Sequence, residues 1–311
     1  MKFTMIGNTN VKVSQIGLGT WQFGSKGWGY GTDFDKTDAI SIVQKALELG
    51  INIIDTAEAY GWGKSEQIIG EAIQDYDRKE IIITTKFLPI TIRPSAVVNA
   101  LNKSLNRLQT DYIDIYLIHW PAPWLIGRVL NHMERMVDEG LIRYIGISNF
   151  NLKRLQNAQK KMCKHRVQVN QVNYSLAKNK VEDDLLPYTQ KEKITLMAYS
   201  PLGQGWLTGK YSVGNSPGGT RRRNRLFSKR NYKRGEKLLA LVKEIAENHQ
   251  VTMAQIALNW VIKNPSVIAI PGAKNLTQLE SNVGSTDFEL TNDEIDRIKK
   301  TLKEFHPRLL L

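Results

Sequence analysis

Short apolar runs alternate along this chain with longer stretches whose apolar residues recur at helical spacing. The runs are Gln15 to Trp21, Ile51 to Asp55, Ile81 to Lys86, Tyr112 to His119, Tyr144 to Asn149, Val167 to Gln171, Ile194 to Ser200 and Val267 to Ile270. Several are rich in Ile and Val, and Ile51 to Asp55 is nearly continuous, as a parallel strand buried on both faces requires. Between them the pattern predicts helices over about 35–49, 64–73, 94–108, 126–139, 151–161, 180–191, 235–248, 252–263 and 275–284, with a tail helix over about 291–300. Ala39, Val43 and Ala46 make the stripe of the first, Pro94 stands at the start of the third, and Thr291 with Glu294 has capping-box spacing before the last. Residues 2–14 read as a small hairpin, and about 202–234 as a long loop insertion.

Eight strands, each followed by a helix, predict an α/β chain with a parallel sheet closed into a (β/α)8 TIM barrel. The whole chain, 1–311, reads as a single domain with the hairpin, the long loop and extra helices added to it. A doubly wound sheet is the competitor, but it favours a Gly-x-Gly-x-x-Gly turn. Gly27-Trp28-Gly29-Tyr30-Gly31 has the wrong spacing, and no strand directly precedes it. Gly203 to Lys210 misses a Walker loop by one residue, with Tyr211 where Ser or Thr would hold magnesium.

Composition changes this picture little. Hydrophobic content of 41% and charged content of 23% suit a soluble globular enzyme. No apolar run spans a bilayer, and the N-terminus lacks a signal peptide's apolar stretch, so a cytoplasmic protein is expected. One cysteine, Cys163, excludes an internal disulfide and a multi-cysteine metal site. The formal charge of +13 is concentrated between Arg221 and Arg234. Such an excess attracts nucleic acid, an acidic membrane surface or a phosphorylated ligand, or, more commonly, is a merely solvated surface. No recognised nucleic-acid fold accompanies it.

Four polar residues fall at or just past strand ends: Asp55, Tyr60, Lys86 and His119. Singly each has a plain reading: a helix cap, a loop aromatic, a solvated lysine, a satisfied core histidine. In a barrel, however, consecutive strand ends converge on one mouth. There an ammonium favours the phenolate and lowers a tyrosine's pKa, a carboxylate holds the ammonium, and an imidazole bonds a substrate oxygen. The set makes a proton donor for a carbonyl oxygen receiving a hydride. No side chain supplies hydride, so a nicotinamide cofactor is required.

Asp55-Thr56-Ala57-Glu58-Ala59-Tyr60-Gly61, Lys86, Asp111 to Pro121, Ile145-Gly146-Ile147-Ser148-Asn149-Phe150 and Ile270-Pro271-Gly272-Ala273 strongly resemble the aldo-keto reductases, in order and over nearly the whole chain. The likeness is to the bacterial and plant branch with a long loop, here Gly205-Trp206-Leu207-Thr208-Gly209-Lys210-Tyr211. It implies a barrel using NADP(H), without a metal, that reduces aldehydes or ketones reversibly. It implies Tyr60 as general acid and base, Lys86 and Asp55 tuning it, and His119 orienting the carbonyl. Gly19, Thr20 and Trp21 fall beside the cofactor. Ser148, Asn149 and Gln171 match positions that hold the nicotinamide carboxamide, and Tyr199 the aromatic on which that ring stacks. Ser200, Pro201, Leu202, Gly203 and Gly205 match the pyrophosphate loop. Pro271 to Asn282 matches the segment around the adenosine and its 2′-phosphate, at a helix start as anion sites often are.

The chain departs from the better-known branch there. Gln278 stands in place of an arginine that stacks on adenine, and Gly272 in place of a phosphate-binding lysine. Lys274 is the remaining cation for a 2′-phosphate, with Asn282 near the adenine, so NADPH is favoured and NADH stays open. Trp21, Trp28, Tyr30, Trp62, Trp120 and Trp124 are candidates to line a substrate pocket for carbonyls with an apolar part, Trp21 and Trp120 foremost; each is otherwise a packing aromatic. The alternative is a nicotinamide-binding regulatory subunit, since potassium-channel β-subunits share the fold and similar motifs; the absence of an extended segment before Phe3 counts against it.

Overall fold

The computed structural model describes residues 1–90, 93, 95–122 and 126–307. Pro94 and Trp124 lie outside them. A two-stranded antiparallel hairpin, β1 (Phe3–Met5) and β2 (Lys12–Ser14), precedes an eight-stranded parallel sheet. Its strands are β3 (Leu18–Gly19), β4 (Ile53–Asp55), β5 (Ile82–Phe87), β6 (Ile113–Ile118), β7 (Ile142–Ser148), β8 (Val167–Asn173), β9 (Thr195–Tyr199) and β10 (Val267–Ile270). Each pairs with the next in chain order. Single bridges from Ile16 to Ala269 and from Gly19 to Gly272 join the first strand to the last and close the barrel. The fold is the (β/α)8 barrel that the alternation predicts.

Two apolar layers account for the closure. Ile53, Ile115, Leu117, Val169, Met197 and Ile268 pack inside the barrel, and Ile6 and Val13 of the hairpin plug its floor. The residues alternating with them face the helices: α1 (Lys36–Glu48), α2 (Lys64–Ala72), α3 (Ala96–Leu108), α4 (Ile126–Asp138), α5 (Leu152–Gln159), α6 (Leu185–Lys191), α7 (Lys229–Asn248), α8 (Met253–Ile262) and α9 (Leu276–Gly284), with α10 (Asn292–Glu304) behind. Local sequence sets the helix starts. Asp35 with Asp38, Thr252 with Gln255 and Thr291 with Glu294 form reciprocal capping boxes. No helix among the described residues is long and apolar enough to cross a membrane.

Among the boundaries that differ from the sequence reading, three have a local cause. The first strand is regular only at Leu18–Gly19, because the chain turns where the Phe23 N–H donates to the Thr20 carbonyl. The helix expected over 180–191 splits into a 3-10 turn at Lys180–Glu182 and α6, since Pro187, in the first turn of α6, has no N–H to continue an earlier helix. The long loop ends at Ser228, not near 234. The Ser228 hydroxyl caps α7 by accepting from the Asn231 N–H, so Lys229, Arg230, Lys233 and Arg234 ride on helical turns. The loop itself is packed: Leu226 and Phe227 are buried, and Asn224 donates to Gln204.

Candidate active site

Period-two alternation decides which strand residues meet. Asp55 is two residues beyond the inward-facing Ile53, and Lys86 is four beyond the inward-facing Ile82; Gln171 follows Val169, and Tyr199 follows Met197, in the same phase. All four therefore point into the barrel at its C-terminal end, where β-strand ends carry chemistry in this architecture. Asp55 and Lys86 are buried.

The lysine organises the group. Its Nζ lies 2.7 and 2.8 Å from the two Asp55 oxygens, 2.7 Å from the Thr56 carbonyl and 3.0 Å from Tyr60 Oη. An ammonium has three N–H groups, and these partners use all of them. Tyr60 Oη accepts from Lys86, so its own O–H is left to point elsewhere. Tyr60 is brought in by the turn after β4, in which its N–H donates to Ala57 and the backbone then runs left-handed through Gly61, Trp62 and Gly63. Gly61 packs within a few ångströms of Gly24, where a side chain has no room. Asp55 also accepts from Gln171 Nε2 at 2.6 Å. The His119 N–H donates to the Phe87 carbonyl at 2.9 Å, and its ring meets Tyr60 edge-on at 5.8 Å. His119 Nδ1 is buried with no hydrogen-bond partner among the described residues.

Burial governs the protonation states. It pushes the Tyr60 phenol well above its ordinary value, and the Asp55 carboxylate and then Tyr199 push the same way. Burial therefore outweighs the lowering expected of Lys86. Burial also raises Asp55 and lowers Lys86, each opposed by the other's charge. His119 is pushed down to about 3 by burial and then by Lys86, so its imidazole is neutral at pH 7.

Asp55 and Tyr60 open onto a cavity of about 940 Å³, whose wall also holds Gly19, Thr20, Trp21, Trp28, Tyr199, Ser200, Pro201, Leu202, Gly205, Gly272, Lys274, Gln278 and Asn282. Four residues expected at the cofactor are not in that wall. Gly203 lies behind it against Leu226, at φ 58°. Ser148 donates to the Gln171 carbonyl, and Gln171's amide is spent on Asp55. Asn149, left-handed at φ 66°, donates to the His119 carbonyl and accepts from Tyr199 Oη at 2.8 Å, which fixes the tyrosine ring. Glycine shapes the cradle: a Cβ on Gly19 would lie 2.6 Å from the Ile270 carbonyl oxygen, and Gly205 has φ 102°. At the far wall the Asn275 side chain caps α9, and Lys274 bonds Asp33 at 2.6 Å.

The aromatics divide. Trp21 lies parallel to the Tyr60 ring at 5.8 Å, Trp28 is 5.5 Å from Trp21, and Trp120 stacks on His119 at 6.0 Å. Tyr30 instead packs edge-on against Phe34, and Trp62 is 88% exposed; neither lines the cavity, and Trp120 and the His119 on which it stacks also lie outside its wall. Asp33, Arg221 and Gln22 line it and were not singled out in the sequence. Asp33 sits in a Gly-rich loop with no motif spacing, Arg221 is one of several adjacent arginines, and Gln22, which donates to the Ala273 carbonyl, resembles any loop glutamine.

The Aldo/keto reductase family model matches residues 15–303, and the chain belongs to that family. An uncharacterised oxidoreductase of Mycobacterium tuberculosis is 43% identical over 297 residues, covering 95% of this chain and 91% of its own. An NADH-specific methylglyoxal reductase of Escherichia coli is 30% identical, covering 94% and 95%. The crystal structure of an aldo/keto reductase from Klebsiella pneumoniae in complex with NADP and acetate superposes with a TM-score of 0.79 at 30% identity, over 96% of this chain and 95% of that one.

Proposed function

We propose that the chain is a nicotinamide-dependent carbonyl reductase that reduces aldehydes or ketones to alcohols, reversibly, with NADP(H) favoured and NAD(H) accepted. The observation that carries the reading is the Lys86 ammonium, bonded to Asp55, Thr56 and Tyr60 at once. The cavity fits the cofactor: its volume lies in the range of small-molecule sites, its wall is glycine-lined, and Lys274 and Arg221 add cations at the far wall. Ser148, Asn149, Gln171 and Tyr199 belong on this reading to the nicotinamide end, and Ser200 to Gly205 to the pyrophosphate. A bound nicotinamide supplies the hydride to the carbonyl carbon.

Tyr60 supplies the proton to the carbonyl oxygen. Its raised pKa keeps it protonated until charge develops on that oxygen. The phenolate left behind accepts a charge-assisted hydrogen bond from Lys86, whose position Asp55 holds. Neutral His119, with Nδ1 unpaired, donates from its ring to the same oxygen and orients it. Trp21, Trp28 and Trp120 flank this point and favour carbonyls with an apolar part.

The test is NADPH and NADH oxidation against a panel of aldehydes and ketones that includes methylglyoxal, beside Tyr60→Phe. Turnover that Tyr60→Phe removes, with cofactor binding kept, supports the reading. Tight cofactor binding without turnover on any carbonyl overturns it.

A further inference from the structure

The adenosine end of the cavity holds a charge arrangement that family membership does not explain. The cation assigned to a 2′-phosphate, Lys274, is already bonded: its Nζ lies 2.6 Å from Asp33 Oδ2 and is only 20% exposed. Asp33 is held for this contact. Its N–H and those of Thr32 and Phe34 converge on the Gly29 carbonyl, and the Thr32 hydroxyl donates to its other oxygen. Gly29, at φ 93°, leaves the space in which the Lys274 and Asp33 heads meet. Arg221 stands beside them between the rings of Trp28 and Tyr211, at 5.8 and 5.5 Å from its guanidinium. Asp33, Lys274 and Arg221 all line the cavity wall.

We infer that Asp33 is a cofactor-specificity residue that competes with the adenosine 2′-phosphate for Lys274. The inference rests on reading the cavity as a nicotinamide-dinucleotide site. A 2′-phosphate must displace the Asp33 carboxylate or sit against its negative charge. A 2′-hydroxyl meets neither penalty, and a carboxylate at this position can accept its hydrogen bond. Asp33 thereby pulls the enzyme toward NADH, against Lys274 and Arg221, which pull it toward NADPH.

Tryptophan-fluorescence titrations of wild type, Asp33→Asn, Lys274→Met and the double variant with NADPH, NADH and 2′,5′-ADP test this without turnover. Asp33→Asn is expected to raise affinity for NADPH and 2′,5′-ADP about fivefold at low salt while leaving NADH unchanged or weaker. The gain shrinks as salt screens the charges. On the Lys274→Met background Asp33→Asn is expected to gain clearly less than in wild type, since the competition for the lysine is gone and only the repulsion by the carboxylate is left. An unchanged NADPH-to-NADH affinity ratio in Asp33→Asn, with wild type binding both, overturns the inference alone. The same gain on both backgrounds also overturns it. A wild type that binds neither cofactor overturns the cofactor reading and the inference together.

Discussion

Asp55 and Asp114 are both buried carboxylates on barrel strands, and both are held by cations, but they stand at opposite ends of their strands. Asp55 closes β4 at the mouth. Asp114 is the second residue of β6, near the floor, and accepts from Arg78 at 2.8 Å, Arg143 at 2.9 Å and the Ile83 N–H at 3.0 Å. Both Asp114 oxygens are thus used, and the arginines reach out to solvent. At Asp55 the lysine is sealed in, and its remaining N–H goes to a phenol that faces a cavity. A buried ion pair is therefore no sign of function by itself. What separates the two is the strand end and whether a third, protonated group opens onto empty space.

The largest effect that tests this contrast is at Tyr60. Tyr60→Phe is expected to lower kcat by about 10²- to 10⁴-fold, the range of general acid catalysis, with NADPH affinity kept; stopped-flow hydride transfer reads it, and a kcat within a few-fold of wild type breaks the comparison. Next is Asp114→Ala, expected to lower unfolding free energy by about 2–3 kcal/mol in urea titrations, since the Ile83 N–H loses its acceptor and two arginines, both partly solvated, lose their partner. Its kcat at 25 °C should stay near wild type; a catalytic loss at unchanged stability would assign the floor carboxylate to chemistry.

His119 sharpens the contrast through pH. Its folded pKa, about 3, lies below the unfolded value of 6.5, so the unfolded chain binds the extra proton between them. Its contribution is complete above pH 6.5 and falls as pH drops from there toward 3, by at most about 1.4 kcal/mol per pH unit. His119→Gln is expected to flatten the stability profile between pH 6.5 and 4.5 relative to wild type, and an identical profile counts against a neutral buried imidazole. The smallest effect is at Asn149, which positions Tyr199. Asn149→Ala is expected to weaken nicotinamide cofactor binding about fivefold, the worth of one hydrogen bond, measured by titration.

Much of this was legible beforehand. Short, largely apolar runs marked all eight strands, most of them rich in Ile and Val, because a strand buried on both faces must be apolar on both. Asp55, Lys86 and His119 stood out as polar interruptions at the ends of such runs. Boundaries were less legible where one residue overrides a pattern: Pro187 splits a helix, and Ser228 starts one inside a charge run that read as loop. Roles that depend on who sits opposite were not legible. Tyr30 and Trp62 are loop aromatics like Trp21 and Trp28, but one packs against Phe34 and the other projects into solvent.

The sequence alone determined the alternation of elements, the closed barrel it implies and the converging polar strand ends, since these depend on hydrophobic period and spacing along one chain. Only the tertiary structure decided the direction of the Tyr60 pKa shift, because burial, and the Asp55 charge that adds to it, arise once the strands and the turn have closed around the phenol. It alone also decided that Lys274 meets Asp33 across 241 residues, for no local pattern can carry a contact made only when the barrel's first loop folds over its last strand.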